Sequence, residues 1–253
     1  MSARLTRVVA ILGALVVWAA FTSVNARVGF VNPVLLPTPL EVGRVAVDLA
    51  WSGELARHFL TSLGRVAQGF GLAAVAALGL GVLVGLCVPL RLMAEPVIEF
   101  VRPIPPLAFL PMFLVWFGLG EASKVAFIGY TTFFPMFVAI AASVLRVDVV
   151  LLRAAASLGA SRADLVRRVM LPAALPGIVV ALRVGVGLAL FVIVGAEFMG
   201  ADAGLGHLIM EGRMFFNPAQ IVMGALALGL LGSLVNALLL VAERRLLRGR
   251  ATS

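Results

Sequence analysis

The sequence contains few of the residues with which soluble enzymes perform chemistry. Among 253 residues there are one cysteine, Cys87, and two histidines, His58 and His207, and charged residues make up only 13%. A single cysteine excludes an intrachain disulfide framework and a cysteine-based metal site. The two histidines are far apart in sequence and lack the spacing of a ligand pair, so we predict neither a metal site nor catalytic residues.

Lysine is almost absent as well. Lys124 is the only one, it follows Glu-Ala-Ser, and the motif G-x-x-x-x-G-K-[ST] does not occur. In that motif the glycine-rich backbone and the lysine hold nucleotide phosphates. We therefore expect a non-catalytic chain without a cofactor of its own, so that any ATP hydrolysis would take place on a partner.

Apolar residues are abundant instead. They make up 62% of the chain, and nineteen of the twenty basic residues are arginine, in a chain of net charge +8. A soluble chain with this charge would be a candidate for nucleic-acid binding, but this hydrophobicity indicates a polytopic protein in a lipid bilayer. The arginines are interpreted as an orientation signal at the membrane surface, and no nucleic-acid partner is expected.

Six apolar runs are long enough to cross a bilayer as helices. They predict an all-α fold with about six transmembrane helices, over 8–26, 66–90, 97–120, 125–145, 173–196 and 219–242. The third run contains Arg102-Pro103-Ile104-Pro105-Pro106 and should be kinked. The second run contains small residues that permit close helix contact, namely Gly69, Gly71, Gly79, Gly81 and Gly85.

The first run has a second interpretation. Because Val24-Asn25-Ala26 resembles a cleavage site, the run is either a signal peptide or a retained helix, and its length favours the retained helix. A polar interval follows, in which Leu40–His58 predicts an amphipathic helix at the membrane surface. We divide the chain into an N-terminal part, 1–57, with its helix and periplasmic segment, and a transmembrane core, 58–253.

The distribution of basic residues predicts which loops face the cytoplasm. With the N-terminus inside, twelve of the twenty basic residues fall in cytoplasmic segments and five in external ones, with Arg65 at a helix edge. Both termini are therefore expected in the cytoplasm, together with the arginine-rich interval 146–172.

That interval begins with the signals of a short helix. Residues 151–158 are rich in alanine and leucine, which favour helix formation, and Gly159 is placed as a helix-terminating glycine. The alanines at 154–156 have almost no side chain. The first helix is therefore narrow enough to enter a groove on a partner.

A second short helix is predicted directly after the glycine. Ser161 and Asp164 have the S-x-x-D spacing of a capping box. Pro172 and Pro176 are expected to close this helix and redirect the chain into the next span.

The spacing within the interval resembles a known motif. Arg153-Ala154-Ala155, Gly159, Val169 and Leu171-Pro172 match the pattern E-A-A-x3-G-x9-I-x-L-P of the EAA loop in permease subunits of bacterial ABC importers. From about residue 35 onward, the chain is similar to the nitrate, sulfonate and taurine branch of that family. Five further segments carry the resemblance: Leu36-Pro37-Thr38-Pro39, Thr61-Ser62-Leu63-Gly64-Arg65-Val66, Arg102-Pro103-Ile104-Pro105-Pro106-Leu107-Ala108, Trp116-Phe117-Gly118-Leu119-Gly120-Glu121-Ala122-Ser123-Lys124 and Gly204-Leu205-Gly206.

The chain departs from the motif at its first letter. Arg153 stands where most of the family has glutamate, which reverses the charge presented to a partner. Taurine-type permeases are similar to this chain at that position and from Ile98-Glu99 to Pro106. We therefore favour taurine or another alkanesulfonate as substrate, with nitrate or a small neutral or aromatic compound as the alternative.

The resemblance implies a type I ABC importer permease fold and a set of partners. Two copies of the permease would form the pore in the bacterial inner (plasma) membrane. Two ATP-binding cassette ATPase subunits, which hold ATP and Mg, would bind below, and a periplasmic binding protein would deliver the substrate. The implied ATPase-coupling residues are Leu151, Leu152, Arg153, Ala154, Ala155, Ser157, Leu158, Gly159, Ala160, Leu171 and Pro172.

Charged residues within the spans are the candidates for a translocation path, because ionisable groups in a bilayer are costly. Arg102 could attract a sulfonate, although a helical pair with Glu99 or a snorkelling side chain is the favoured interpretation. Arg183 either snorkels or faces the pore. Glu197 would repel an anion and is expected to pair with a residue on another helix. The aromatic and thioether side chains nearby are expected to pack, namely Tyr130, Phe133, Phe134 and Met199.

Two functions of other classes remain open. A proton-coupled secondary transporter would require internal repeats with discontinuous helices in matching positions, whereas prolines interrupt one half only and no repeat is evident. A membrane scaffold subunit would not need the cytoplasmic loop pattern. Co-purification with an ATPase distinguishes these functions from an ATP-driven importer.

Overall fold

The computed structural model of the chain describes residues 3–247, and within that part it contains helices and no strand. This confirms the predicted all-α fold. The helices are α1 (Ala3–Val28), α2 (Pro39–Trp51), α3 (Glu54–Leu86), α4 (Val88–Val101), α5 (Leu110–Phe117), α6 (Glu121–Leu145), α7 (Val149–Ser157), α8 (Arg162–Asp164), α9 (Leu171–Phe198), α10 (Leu205–Met214) and α11 (Pro218–Leu247).

Four helices in the described residues are long and apolar enough to cross a membrane: Glu54–Leu86, Glu121–Leu145, Arg162–Phe198 and Pro218–Val241. A fifth crossing results if Val88–Val101 and Pro106–Phe117 count as one bent span. Helix α1 contributes only a shorter apolar stretch, Leu12–Val28. The six predicted runs thus correspond to these four helices, to the bent pair, and to α1, which spans Ala3–Val28.

The bend between α4 and α5 has the cause that the sequence predicts. The two segments meet at 83°. Prolines at 103, 105 and 106 have no N–H to continue the helix, and each disfavours helical backbone in the residue before it. The kink is therefore confirmed, but α4 begins at Val88 and not at 97, since Cys87 is extended (φ −118°, ψ 106°) and ends the preceding helix.

The polar interval after α1 divides differently from the prediction. Thr38 and Glu41 form a capping box that starts α2, so the amphipathic helix begins close to where it was expected. Gly53 follows α2 with φ +79°, a left-handed conformation that favours glycine, and the chain turns into α3 at Glu54. The second transmembrane helix therefore starts at 54 and not at 66, and Arg65 lies inside it and not at its edge.

The connection between α6 and α9 contains the first predicted short helix. Asp148 caps α7 by accepting a hydrogen bond from the Val150 N–H at 2.8 Å. Gly159 follows the helix with φ +85°. The predicted helix and its glycine terminus are therefore confirmed.

The second predicted helix does not end where the sequence indicated. Ser161 caps α8, a π-helical turn over Leu165–Met170 follows, and the chain continues without a break into α9. Pro172 and Pro176 therefore lie within one continuous helix, contrary to the prediction. The wider π turn supplies the physical reason, because it accommodates Pro172, which has no N–H to donate, at the first positions of α9.

The chain divides into two compact units, which are described separately. The larger unit comprises residues 63–201 and 232–253. Its buried core consists largely of alanines of α3 together with large side chains of α6 and α9, including Met136, Ile140 and Ile178. Helices α6 and α9, joined by the loop with α7, pack extensively against each other in this unit.

Glycines allow α3 to approach α6 within this unit. A Cβ atom added at Gly69, Gly81 or Gly85 would lie 2.8, 2.9 or 2.7 Å from the nearest side-chain atom of α6. Gly71 and Gly79 have no other atom within 4 Å of such a Cβ. Three of the five glycines therefore make the predicted close contact, and two face open space.

The smaller unit comprises residues 1–62 and 202–231. Two side chains on one face of α3 cap α10: His58 Nδ1 accepts a hydrogen bond from the Gly204 N–H at 2.9 Å, and Ser62 Oγ accepts one from the Leu205 N–H at 2.8 Å. The His58 ring also stacks on His207, with centroids 5.8 Å apart. The two histidines that are distant in sequence therefore meet at a helix terminus, where Nδ1 of His58 holds a backbone N–H.

Helix α1 is held in the smaller unit by side-chain contacts near its end. The Asn25 side chain accepts a hydrogen bond from the Val31 N–H at 2.8 Å and donates one to the Val31 carbonyl at 2.9 Å. The Trp18 indole N–H donates to the Pro37 carbonyl at 3.2 Å. These contacts order the segment between α1 and α2.

Candidate functional site

Helix α7 and the turn after it present a small, apolar surface on the loop between α6 and α9. Leu152 packs against the core of the larger unit and anchors α7 there. Leu158 is 90% exposed at the end of the helix, and Leu151 is 47% exposed on the first turn. Leu151 and Leu158 therefore expose apolar surface on this loop, which a partner protein can bury.

Arg153 lies on the same helix and is exposed to solvent. The Ser157 hydroxyl donates a hydrogen bond to the Arg153 carbonyl at 3.0 Å, which involves the backbone and leaves the guanidinium group on the surface. The structure therefore places a positive charge beside the alanines of α7, at the position where the motif has glutamate.

The turn after Gly159 is held by a second set of contacts. Ser161 Oγ accepts a hydrogen bond from the Asp164 N–H at 3.2 Å and donates one to the Asp164 carboxylate at 2.6 Å. Arg168 lies 3.0 Å from the same carboxylate. Only half of the predicted capping box forms, because the Asp164 side chain bonds the Ser161 hydroxyl and not its backbone N–H.

A cavity of about 730 Å³ lies within the larger unit, between α4, α6 and α9. Apolar side chains form most of its wall, with the Tyr130 ring at one place and Ser143 at another. Arg102 and Arg146 are the charged residues that line it. The cavity therefore combines a mostly apolar wall with two arginines, whose guanidinium groups bind oxyanions through two parallel hydrogen bonds.

Among the described residues, neither arginine of the cavity takes part in an ion pair. The pair of Arg102 with Glu99, which the sequence favoured, is therefore not formed. From the sequence, Arg146 was interpreted as an orientation signal and as the start of the arginine-rich interval 146–172, and not as a cavity residue. The sequence shows that Arg146 directly follows an apolar span. Only the packing of α4 against α6 and α9 brings it to the same cavity as Arg102.

Arg183 does not line this cavity. Its Nη1 lies 3.6 Å from Oε2 of Glu243 on α11, and both residues belong to the larger unit. Arg183 is half-exposed, so this pair is a weak electrostatic contact.

A second group of charges, Arg65, Glu121 and Glu197, meets inside the larger unit. Arg65 Nε and Nη2 donate to the two oxygens of the Glu121 carboxylate at 2.6 and 2.5 Å, and Nη1 donates to Glu197 Oε1 at 2.7 Å. Side-chain exposure is 3% for Arg65 and 0% for Glu197, against 63% for Glu121. The partner on another helix that the sequence predicted for Glu197 is thus Arg65.

The burial of this group determines its energetic effect. Removing one partner of a buried ion pair leaves the other charge uncompensated and typically costs about 3–5 kcal/mol. Lys124 lies one turn from Glu121, is also buried, and donates through Nζ to the Leu119 and Gly120 carbonyls at 2.7 and 3.1 Å. With Lys124 the four side chains carry two positive and two negative charges.

The aromatic residues singled out from the sequence pack against one another. Tyr130 contacts Phe113 and Phe134 with ring centroids 5.5 and 5.6 Å apart, and Phe133 contacts Phe134 at 5.1 Å. The predicted packing role is therefore confirmed for these rings. Tyr130 and Phe134 additionally line the cavity.

These features define the class of the protein: an α-helical, multi-pass membrane protein with a cavity between its helices and a projecting loop between two of them. The chain belongs to the family of binding-protein-dependent transport system inner membrane components, whose model matches residues 69–250. It is a permease of the ABC importers in the nitrate, sulfonate and taurine branch.

Curated relatives include permeases whose names give different substrates. The chain is 34% identical over 231 residues to the putative aliphatic sulfonates transport permease protein SsuC of Bacillus subtilis, covering 91% of this chain and 84% of that protein. It is 34% identical to the taurine transport system permease protein TauC of Escherichia coli, covering 87% and 82%. It is 31% identical to the bicarbonate transport system permease protein CmpB of Synechococcus elongatus, covering 94% and 87%.

Solved structures show the same fold. A chain in the crystal structure of an amino acid ABC transporter with histidines matches at a TM-score of 0.64 and 20% identity, over 79% of this chain and 97% of that one. A chain of the MetNI methionine ABC transporter in an inward-facing conformation matches at 0.63 and 22%, over 80% and 97%. The type I importer permease fold predicted from the sequence is therefore confirmed.

The structure also explains segments that the sequence offered only as family markers. Ser62, from the segment Thr61–Val66, caps α10 by accepting a hydrogen bond from the N–H of Leu205, from the segment Gly204–Gly206. Arg65, which belongs to the same segment as Ser62, bonds Glu121 of the segment Trp116–Lys124 within the larger unit. Because Glu197 lies in an apolar span, the sequence indicates that it needs a basic partner. It contains several arginines, however, and does not indicate which of them lies close to Glu197.

Proposed function

We propose that the chain is the membrane-spanning subunit of an ATP-driven importer of small organic anions, with taurine or another alkanesulfonate as the substrate. The observation that carries this proposal is the cavity, in which Arg102 and Arg146 are the charged residues in a mostly apolar wall. The relatives named for sulfonates and taurine support it. A sulfonate has three oxygens for guanidinium donors and a short organic part for the apolar wall.

The coupling role belongs, in this proposal, to the loop with α7. ATPase subunits bind Leu151, Arg153 and the alanines that follow, and the exposed Leu158 enters a groove on their surface. Leu171 and Pro172, at the start of α9, carry the motion into the long helix. Closure of the two ATPases around ATP and Mg then moves the permease between inward- and outward-facing states.

The remaining partners follow from this assembly. A second copy of the permease completes the pore, and a periplasmic binding protein delivers the substrate on the other side. The loop with α7 and both termini face the cytoplasm, as the excess of arginine there supports. Arg102 contacts the anion, whereas Arg183 and Glu197, which lie outside the cavity, have structural roles.

Transport by reconstituted protein tests this proposal. The permease is purified with the ATPase and binding protein encoded beside it, and uptake of labelled taurine into proteoliposomes is measured with and without ATP. ATP-dependent uptake that unlabelled alkanesulfonates suppress is the expected result. Uptake driven by a proton gradient without ATP would assign the chain to the secondary transporters, and assembly without any uptake would indicate a scaffold subunit.

An inorganic anion is the second candidate, because one relative is named for bicarbonate. The same vesicles distinguish it. Competition by nitrate or bicarbonate, without competition by alkanesulfonates, would favour the inorganic anion, since these ions do not need the apolar wall.

A further inference from the structure

One guanidinium group joins three transmembrane helices of the larger unit. Arg65 lies on α3, Glu121 opens α6, and Glu197 is in the last turn of α9. The fork of Arg65 bonds Glu121 through two nitrogens and Glu197 through the third. These contacts lie at the ends of α6 and α9 opposite to the loop that carries α7.

The helix that ends at this cluster begins at that loop. Arg162–Phe198 is one continuous helix of 37 residues, about 55 Å long at 1.5 Å per residue. The Ser161 cap starts it three residues after Leu158, and Glu197 lies in its last turn. A displacement of the loop therefore reaches Glu197 through a single helix.

Close packing connects this helix with its neighbours between the two ends. A Cβ added at Gly185 of α9 would overlap Met136 of α6, and one at Gly81 of α3 would lie 2.9 Å from Ile140 of α6. Such contacts leave little room for sliding, because packed interiors are dense and resist deformation. Arg65 adds a direct connection between α3 and the end of α9, because its Nη1 donates to Glu197 Oε1.

The side chain that makes this connection has no simple substitute. Lysine carries the same charge but has a single nitrogen. The arginine fork bonds both oxygens of Glu121 and one oxygen of Glu197 at once. Because Glu197 is fully buried, an unpaired charge there would have to be neutralised or exposed by movement of α9.

We propose that Arg65 is a positioning residue of the transport cycle, which holds the ends of α3, α6 and α9 together so that a displacement of the loop with α7 moves the three helices as one rigid body. This inference rests on the proposed coupling function. We call the bonds of Arg65 to Glu121 and Glu197 the clamp. Without the clamp, α9 moves alone, and the free energy of ATP binding distorts the packing of the three helices and does not drive transport.

Distances between spin labels on α3 and α9 test this directly. Cys87 is the only cysteine, so Cys87→Ser gives a background in which Leu72→Cys on α3 and Phe191→Cys on α9, both on exposed positions, carry the labels. The labelled permease, diluted with unlabelled copies, is assembled with its ATPase in lipid nanodiscs. Distances are measured without nucleotide and after trapping with ATP and vanadate.

With Arg65 present, we expect the distance between the labels at positions 72 and 191 to be the same without nucleotide and in the vanadate-trapped state. In Arg65→Gln, we expect this distance to differ between the two states. Taurine uptake per ATP hydrolysed should fall by about tenfold in Arg65→Gln and less in Arg65→Lys, with ATP hydrolysis itself retained. A distance that already changes between states with Arg65 present would overturn the proposal, as would an unchanged distance and normal uptake per ATP in Arg65→Gln.

Two further measurements keep the outcome decisive. If Arg65→Gln does not assemble, Glu121→Gln replaces it. This change is milder, because the Glu121 side chain is 63% exposed and the bond between Arg65 and Glu197 stays. A wild-type ratio of taurine uptake to ATP hydrolysis in both Glu121→Gln and Arg65→Lys overturns the proposal. Phe191→Cys alone reports the distance between two copies. If that distance is insensitive to nucleotide, the proposed coupling function fails, which is distinct from failure of the clamp alone.

Discussion

Gly69 on α3 faces Ile128 on α6 so closely that a Cβ at position 69 would lie 2.8 Å from the Ile128 Cβ and 2.9 Å from the Val125 carbonyl oxygen. Because a backbone atom and a β-branched side chain cannot yield, Gly69→Ala should push the helices apart. We expect a loss of roughly 1–3 kcal/mol, measured as a lower thermal unfolding midpoint in detergent. Gly71→Ala, in open space on the same helix, is the control and should leave the midpoint unchanged.

Leu158 should be required for assembly with the ATPase. Its side chain is 90% exposed, so Leu158→Ser removes apolar surface from the partner contact without disturbing the fold. We expect at least about tenfold weaker co-purification of the ATPase, since burying a leucine contributes roughly 1.5–3 kcal/mol. Leu158→Met keeps the apolar surface and should bind normally; equal binding by both variants would remove Leu158 from the interface.

Reversing the charge of Arg153 tests the one departure from the EAA motif. Arg153→Glu restores the residue that the motif has, but in the proposed complex it presents a negative charge where Arg153 presents a positive one. We expect ATP hydrolysis stimulated by the binding protein to fall several-fold, with a smaller effect in Arg153→Gln, because unfavourable charge pairs at interfaces cost more than lost contacts. Higher stimulation in the glutamate variant would show that the partner retains the motif's usual complement.

Arg102 should set the affinity for the anion. Arg102→Gln removes a guanidinium group from the cavity wall, so the KM for taurine uptake should rise by about tenfold, which corresponds to the loss of a charge-assisted hydrogen bond. Arg102→Lys retains the charge and should lie between the two. A substitution in Arg183, which lies outside the cavity, is the matched control; Arg183→Lys should leave KM unchanged.

His58 should stabilise the smaller unit through its acceptor and not through its charge. His58→Phe leaves the Gly204 N–H without a partner at a buried position, and we expect a loss of about 1–3 kcal/mol in unfolding experiments. His58→Asn places an acceptor oxygen close to the position of Nδ1 and should recover part of the loss. If both variants unfold alike, the stacking on His207 is the larger contribution.

The features that the sequence predicted correctly depend on neighbours in the chain. Gly159 ends α7 with φ +85° because only glycine adopts that conformation without strain, and Ser161 caps the next helix through a residue three positions on. Prolines at 103, 105 and 106 bend the chain by their own covalent structure. The error at Pro172 has a similar origin, since local rules do not foresee a π turn that accommodates it.

The sequence by itself determined the membrane class, the all-α fold, the loop with α7 and the family, because hydrophobicity, capping and motif spacing act within a few residues of the chain. Only the tertiary structure decided which charges meet. Arg65 and Glu197 are 132 positions apart, and Arg102 and Arg146, which line one cavity, follow different helices. Pairing over such separations depends on how helices pack, and no single residue carries a local signal of the partner that packing brings to it.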